Sequence, residues 1–207
     1  MEISKIARHL IFLAMLVMIP VGCAPPVTYV VDLEYAPELK EELTLKASQI
    51  QIAVVPFEDA REDKTIIGTR RRLMGRVDKF DARPSPAATA VTQAVVNALK
   101  ILGYQTEILQ KGANTEGIRQ SPPHIVVSGK IEELSADAQS KLGYTDIKTM
   151  VRLKIKVYKV DDKNSFTINV QSQSEPRVVF FNPSVMQKAV NDTLTDAIDH
   201  LITNQIK

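Results

Sequence analysis

Between positions 147 and 158 the chain alternates without a break. Ile147, Thr149, Val151, Leu153, Ile155 and Val157 take one side, and Lys148, Met150, Arg152, Lys154, Lys156 and Tyr158 the other. Successive side chains of a strand point to opposite faces, so this segment has one face for a core and one for water. A parallel sheet covered on both faces has no room for four cations at alternate positions; an antiparallel sheet with one wet face does. Asp161, Asp162, Lys163 and Asn164 then supply turn chemistry, and Phe166, Ile168 and Val170 alternate in a returning strand, which makes a hairpin.

The remaining elements follow from the same periodicities. Residues 50–57, "IQIAVVPF", form a short β-branched run that reads as a buried strand. Ser85 offers an N-cap with Pro86 at the first helical position; Val91, Val95, Ala98, Leu99 and Leu102 recur at helical spacing, and Gly103 closes the helix. "YQTEIL" and "HIVVSGKIEELSAD" give two more strands. At the end, Asn182 caps and Pro183 opens a helix whose stripe includes Met186, Ala189, Val190, Leu194, Ala197, Ile198, Leu201 and Ile202. The expected order is β-α-β-β-β-β-α. It predicts an α+β fold with a single mixed, largely antiparallel sheet and two amphipathic helices on one face.

The N-terminus has a different logic. Lys5 and Arg8 precede ten consecutive apolar residues at 10–19, followed by Pro20, Val21, Gly22 and the only cysteine, Cys23. Ten residues cannot span a bilayer core that requires roughly 20, but they suit the apolar core of a secretory signal peptide. The stretch resembles a bacterial lipobox, although Pro20 stands where leucine is usual. The resemblance implies cleavage between Gly22 and Cys23, removal of residues 1–22, and acylation of Cys23. A lone cysteine in an exported protein has no internal disulfide partner, and lipidation resolves that. Ala24 stands where aspartate would favour retention in the inner membrane, so the implied address is the outer membrane, facing the periplasm.

Residues 23–48 read as an acylated cysteine and a tether, with the globular domain over 49–207. Pro25, Pro26 and Pro37 and the charged "ELKEELTLK" suggest an extended chain able to hold the domain tens of Å from the membrane, at ~3 Å per residue. Within it, Val27, Tyr29, Val31 and Leu33 alternate as in a strand. Such a piece can dock as an added strand, on the domain or on a partner. Lys plus Arg number 26 and Asp plus Glu 24; subtracting Lys5, Arg8 and Glu2 leaves 24 against 23, a net +1. Nucleic-acid binding usually needs a strongly basic face, and this balance gives none.

Catalytic and metal chemistry find little support. His9 leaves with the signal, and His124 and His200 lack convergent ligands. No G-x-S-x-G elbow is present, and "SGK" at 128–130 lacks the glycine spacing of a phosphate loop, so Gly129 reads as a bulge or tight contact. Glu132 and Glu133 are expected on opposite faces of their strand. Asp59 and Arg61 are expected to lock the base of the loop after the first strand. Beyond them, Arg70, Arg71, Arg72 and Arg76 place four guanidinium groups within seven residues. Arginine forks suit phosphate and carboxylate. These residues are read either as a solvated loop or as a contact with anionic lipid, lipopolysaccharide or an acidic partner.

The chain resembles the YajG-type family of uncharacterised bacterial lipoproteins. The likeness rests on the lipobox, "DAR" at 59–61, Ile67 and Gly68, "LGY" at 102–104, the long hairpin, and "AVNDTLTDAI" at 189–198. It implies an anchored periplasmic domain and no established activity. The element order also looks like that of accessory lipoproteins that activate peptidoglycan synthases or build secretion channels. The expected function is therefore non-enzymatic: a lipid-anchored accessory or interaction protein in envelope assembly or maintenance. Its expected contacts are the membrane through the lipid, an envelope protein partner, and a second copy as one form of partner. No cofactor, metal or nucleic acid is expected. The alternative is a binding module for an envelope glycan or anionic lipid.

Overall fold

The computed structural model describes residues 26–37, 50–83, 85–109 and 123–205. Gly22, Cys23, the signal segment and residues 38–48 of the expected tether lie outside the described residues. Ten strands and two helices follow in order: β1 (Thr28–Val30), β2 (Gln51–Val54), β3 (Glu58–Asp59), β4 (Ile66–Arg71), β5 (Val77–Asp81), α1 (Ala87–Ile101), β6 (Gln105–Ile108), β7 (Ile125–Lys141), β8 (Tyr144–Lys159), β9 (Asn164–Ser174), β10 (Arg177–Val178) and α2 (Pro183–Gln205). They form a single mixed sheet with helices on one face, the expected α+β class.

Strands β7 and β8 are the spine. They pair antiparallel along their whole length, and β9 continues the antiparallel set on the far side of β8. On the other side of β7 the sheet turns parallel: β2 pairs with its first residues and β4 with its last. Ile147, Thr149, Val151, Leu153, Ile155 and Val157 are all buried, as the alternation requires. Fully burying each such aliphatic side chain contributes roughly 1.5–3 kcal/mol. The inward Thr149 hydroxyl lies 2.5 Å from that of Thr193 on α2, which itself donates to the Ala189 carbonyl. That pairing lets a polar residue occupy a core position.

A β-bulge between Ile131 and Glu133 changes the parity of β7. Before it the buried residues are odd-numbered, Val127 and Ile131; after it they are even-numbered, Leu134, Ala136 and Ala138. Glu132 is exposed and Glu133 pairs with Arg152 on the wet face, so the expectation of opposite faces for the two glutamates is corrected. Gly129 is a tight contact: a Cβ there would stand 2.4 Å from the Phe57 ring. At Gly68 a Cβ would overlap the carbonyl of Ala136, so only glycine lets β4 approach β7.

Helix α2 is capped as its sequence predicts, with the Val185 N–H donating to Asn182 Oδ1 at 2.9 Å. Ser85 does not cap α1; the residue before that helix is Pro86, and no side chain takes the cap bond. Thr92 of α1 instead ties helix to sheet by accepting from the Phe57 N–H at 2.9 Å.

The expected loop after the first strand contains β4 and β5, which pair as an antiparallel hairpin. Its period-2 pattern is hard to see because one inward position of β5 is a carboxylate, Asp78. The segment expected to be tether is partly domain. Strand β1 lies parallel to β5, and Val31 and Leu33 are buried in the core. Beyond them the extended chain follows α2 as a strap. The N–H groups of Asp32, Glu34 and Ala36 donate to Gln187, Asn191 and Thr195 at 3.4, 3.2 and 3.2 Å, and the Tyr35 hydroxyl donates to Asp199 at 2.7 Å. The match is geometric: two extended residues advance about 6.7 Å and four helical residues advance 6 Å. Burial, then the bond to the Asp199 carboxylate, push the Tyr35 hydroxyl pKa well above its ordinary value. Sheet pairing thus begins at Thr28, inside the segment 23–48 expected to be tether.

Candidate functional site

The four arginines at 70–76 fall on one hairpin, but the structure gives them different surroundings. The turn is closed by Gly75, at φ +77, whose N–H donates to the Arg72 carbonyl at 2.9 Å. Arg72 Nε donates to Asp78 Oδ2 at 2.6 Å, and Arg76 Nε lies 3.7 Å from Asp78 Oδ1. Asp78 has no solvent exposure, so two guanidinium groups cover a carboxylate that would be costly to bury alone. The hydrogen bond to Asp78 raises the Arg72 pKa above its ordinary value. Arg70 Nε donates to Ser140 Oγ at 3.0 Å, and its guanidinium stacks 4.0 Å above the Phe181 ring. Burial lowers its pKa. Arg71 is exposed and has no acidic or aromatic partner among the described residues.

Arg71 faces an open groove of about 1020 Å³ on the wet side of the sheet, beside Thr69, Asp137, Gln139, Lys148 and Arg177. At one end Asp146 accepts from Lys141 at 2.8 Å and from Arg177 at 2.7 Å. Those two hydrogen bonds, Lys141 first, hold the Asp146 pKa below the usual carboxylate range. The Arg177 guanidinium also lies 4.2 Å over the Tyr144 ring. Lys148 pairs with Glu175 at 3.3 Å. The groove is polar and of mixed charge.

Asp59 and Arg61 meet as a clamp. Arg61 donates from Nε to Asp59 Oδ1 at 2.9 Å and from Nη2 to Oδ2 at 2.8 Å, while its Nη1 reaches the Leu134 carbonyl of β7 at 3.2 Å. Burial alone would raise the Asp59 pKa; the bonds from Arg61 outweigh it and leave the group below its ordinary value. The same tripeptide recurs at 81–83, where Arg83 clamps Asp81 through its N–H at 2.9 Å and its Nε at 2.7 Å. Sequence reasoning missed this second clamp, although the repeated "DAR" was visible. It also missed Asp78, Asp146 and Arg177, whose roles depend on partners brought by strand register.

His124 serves the backbone: its Nδ1 accepts from the Gln51 N–H at 3.1 Å. Among the described residues no three His, Cys, Asp or Glu side chains gather as metal ligands, and no helix is long and apolar enough to cross a membrane.

No protein-family model matches the chain, and no curated protein matches it. Solved structures do. An uncharacterised protein superposes with a TM-score of 0.51 at 8% identity, over 89% of this chain and all of its own. A DUF330 protein of Xanthomonas campestris gives 0.49 at 15% identity, over 85% and 92%. A lipoprotein of Neisseria meningitidis gives 0.34 at 13% identity, over 71% and 96%. The first supports a shared fold, and a likeness at that identity carries no activity across.

Proposed function

We propose that this chain is an acyl-anchored protein of the bacterial outer membrane, of YajG type, that faces the periplasm and works by binding another envelope protein. The anchor is supported by the apolar run that ends at Gly22 and Cys23. The binding role is carried by one observation, the edge of β9. This strand pairs with β8 along one side, and no described strand pairs with the other. Exposed edges are normally guarded by charge, proline or bulges. The eleven residues "NSFTINVQSQS" contain no charge and no proline, so the edge is open to an added strand. A second copy of the chain is one such strand donor.

The test places a photocrosslinking residue at Thr167, Asn169 or Gln171 in cells, with Lys130 as control. Adducts to one partner mass at all three edge positions are the expected result; a mass of twice the chain would identify a second copy. Membrane-bound, acylated protein that crosslinks no better at the edge than at Lys130 would refute the binding role. The anchor is tested separately: Cys23→Ala should leave a protein without acyl groups by mass spectrometry and outside the outer-membrane fraction.

The groove beside Arg71 favours a second reading, a site for a hydroxyl-rich envelope glycan or an anionic headgroup. In that case Arg71→Ala should weaken binding of a soluble glycan fragment or short-chain lipid in titration calorimetry. An unchanged isotherm would remove this reading.

A further inference from the structure

Among the described residues, the five most exposed large apolar side chains are Leu73, Met74, Leu142, Val179 and Phe180, between 63% and 92% exposed. They are scattered in sequence, yet strand register gathers them. Strand β4 runs parallel to β7 with Arg71 opposite Gln139, so the hairpin tip carrying Leu73 and Met74 lies at the same end of the sheet as the β7–β8 turn carrying Leu142. Strand β10 runs antiparallel to β8 with Val178 opposite Thr145, which sends Val179 and Phe180 toward that end too. Arg70 on Phe181 and Arg177 on Tyr144 tie the loops together. Soluble surfaces rarely concentrate apolar side chains in this way without a use for them. Arg71, Arg72, Arg76, Lys141 and Arg177 stand around them; Asp78 and Asp146 are shared among four of these cations, and with Lys148, Glu175 and Asp137 of the adjoining groove the rim carries six positive charges against four negative.

The chain enters the fold at this same end. Thr28 lies opposite Lys79, the Lys79 N–H donates to the Val27 carbonyl at 2.9 Å, and Val77 begins β5 opposite Arg71. From Cys23 to Thr28 there are five residue steps, which reach at most roughly 17 Å when fully extended. Resting on the reading of Cys23 as the acylated anchor, we propose that this apolar end sits in the bilayer interface. Leu73, Met74, Leu142, Val179 and Phe180 dip among the lipids, and the surrounding cations meet anionic headgroups. Apolar tips on separate loops with a basic rim are the pattern of an interfacial membrane contact. The β8–β9 turn, with Asp161 and Asp162, then points away from the membrane.

The acylated Cys23 leaves no other cysteine in the chain. Met74→Cys, Leu142→Cys and Phe180→Cys therefore each provide one labelling site on the full acylated protein, and Asp162→Cys provides one at the opposite end. Each is labelled with a polarity-sensitive fluorophore and reconstituted in vesicles of phosphatidylethanolamine with a minority of phosphatidylglycerol. The expected result is blue-shifted emission at positions 74, 142 and 180, quenching there by lipids brominated in their acyl chains, and severalfold less quenching by aqueous iodide than at 162. Iodide quenching that is equal at all four positions, in protein that still floats with the vesicles, overturns the membrane contact and leaves the anchor standing. Protein that carries no acyl chain and does not float overturns the anchor itself. Positions shielded in cell envelopes but open in pure lipid vesicles identify a protein cover and overturn lipid as the occupant.

Discussion

The tripeptide Asp-Ala-Arg folds twice into the same local clamp on a shielded carboxylate, and the two arginines end in opposite environments. In both, the arginine N–H and guanidinium close on the carboxylate two residues earlier. Arg61 is 9% exposed and extends its remaining donors to the carbonyls of Leu134 and Lys64. The Arg83 side chain is 70% exposed. The backbone motif is thus written in the short sequence, whereas its worth is set by what stands behind it. A guanidinium held away from water, with donors turned to buried carbonyls, is costly to remove, whereas one that stands in water can be replaced in part by solvent even where its carboxylate is buried.

The largest break of this comparison is Arg61→Ala. It strands Asp59, whose side chain is only 10% exposed, and leaves the Leu134 carbonyl without the guanidinium. The expected loss is about 3 kcal/mol, or roughly 6–12 °C in melting temperature for a domain of this size. A shift no larger than that of Arg83→Ala would show that burial of the arginine is not what distinguishes the clamps. Arg61→Lys should cost less, about 1–2 kcal/mol, because an ammonium cannot span both Asp59 oxygens and a carbonyl as a planar fork does. Urea midpoints rank the two variants, and lysine matching arginine would argue against the fork.

Acid sharpens the same contrast. The Asp59 pKa is depressed in the folded state. Its contribution is therefore fully present above the unfolded carboxylate value of about 4 and is lost as the pH falls through the lower folded value. Asp81 is depressed in the same direction, chiefly by its hydrogen bond from Arg83. Wild type should weaken below about pH 4, and Asp59→Asn should flatten only part of that slope. A slope unaffected by Asp59→Asn would place the acid sensitivity elsewhere. The smallest effect belongs to Arg83→Ala, which removes the partner of buried Asp81 but lets water reach that carboxylate where the exposed Arg83 side chain stood; a drop in melting temperature smaller than that of Arg61→Ala is expected by calorimetry.

The two clamps also mark how far sequence reading reaches. Residues 147–157 were legible because a single buried face imposes a single period, and Thr149 kept to it by finding Thr193. The β4–β5 hairpin was not, because inward Asp78 reads as polar until Arg72 and Arg76 are seen to cover it. The alternation of Val27 to Leu33 was visible, but its partners Gln187, Asn191 and Thr195 lie about 160 positions away. The parity change in β7 depends on one extra residue at a bulge, which periodicity alone does not announce. Of the candidate site residues, Asp59 and Arg61 meet because they are neighbours in sequence. The groove and the apolar end are assembled by register between strands far apart in the chain, which local patterns do not encode.

The placement of β1 has a mechanical meaning. Under the proposed acylation of Cys23, a tug from the N-terminal side reaches the domain through Thr28, along the axis of a strand that runs beside β5 and then beside α2. The rungs from Thr28 to Val30 and the contacts from Asp32 to Ala36 then carry the load side by side, in shear, instead of peeling open one after another. Three residues of strand would be a weak attachment alone. Continued by the strap, they form a joint that is strongest against a pull along the chain from its N-terminal side.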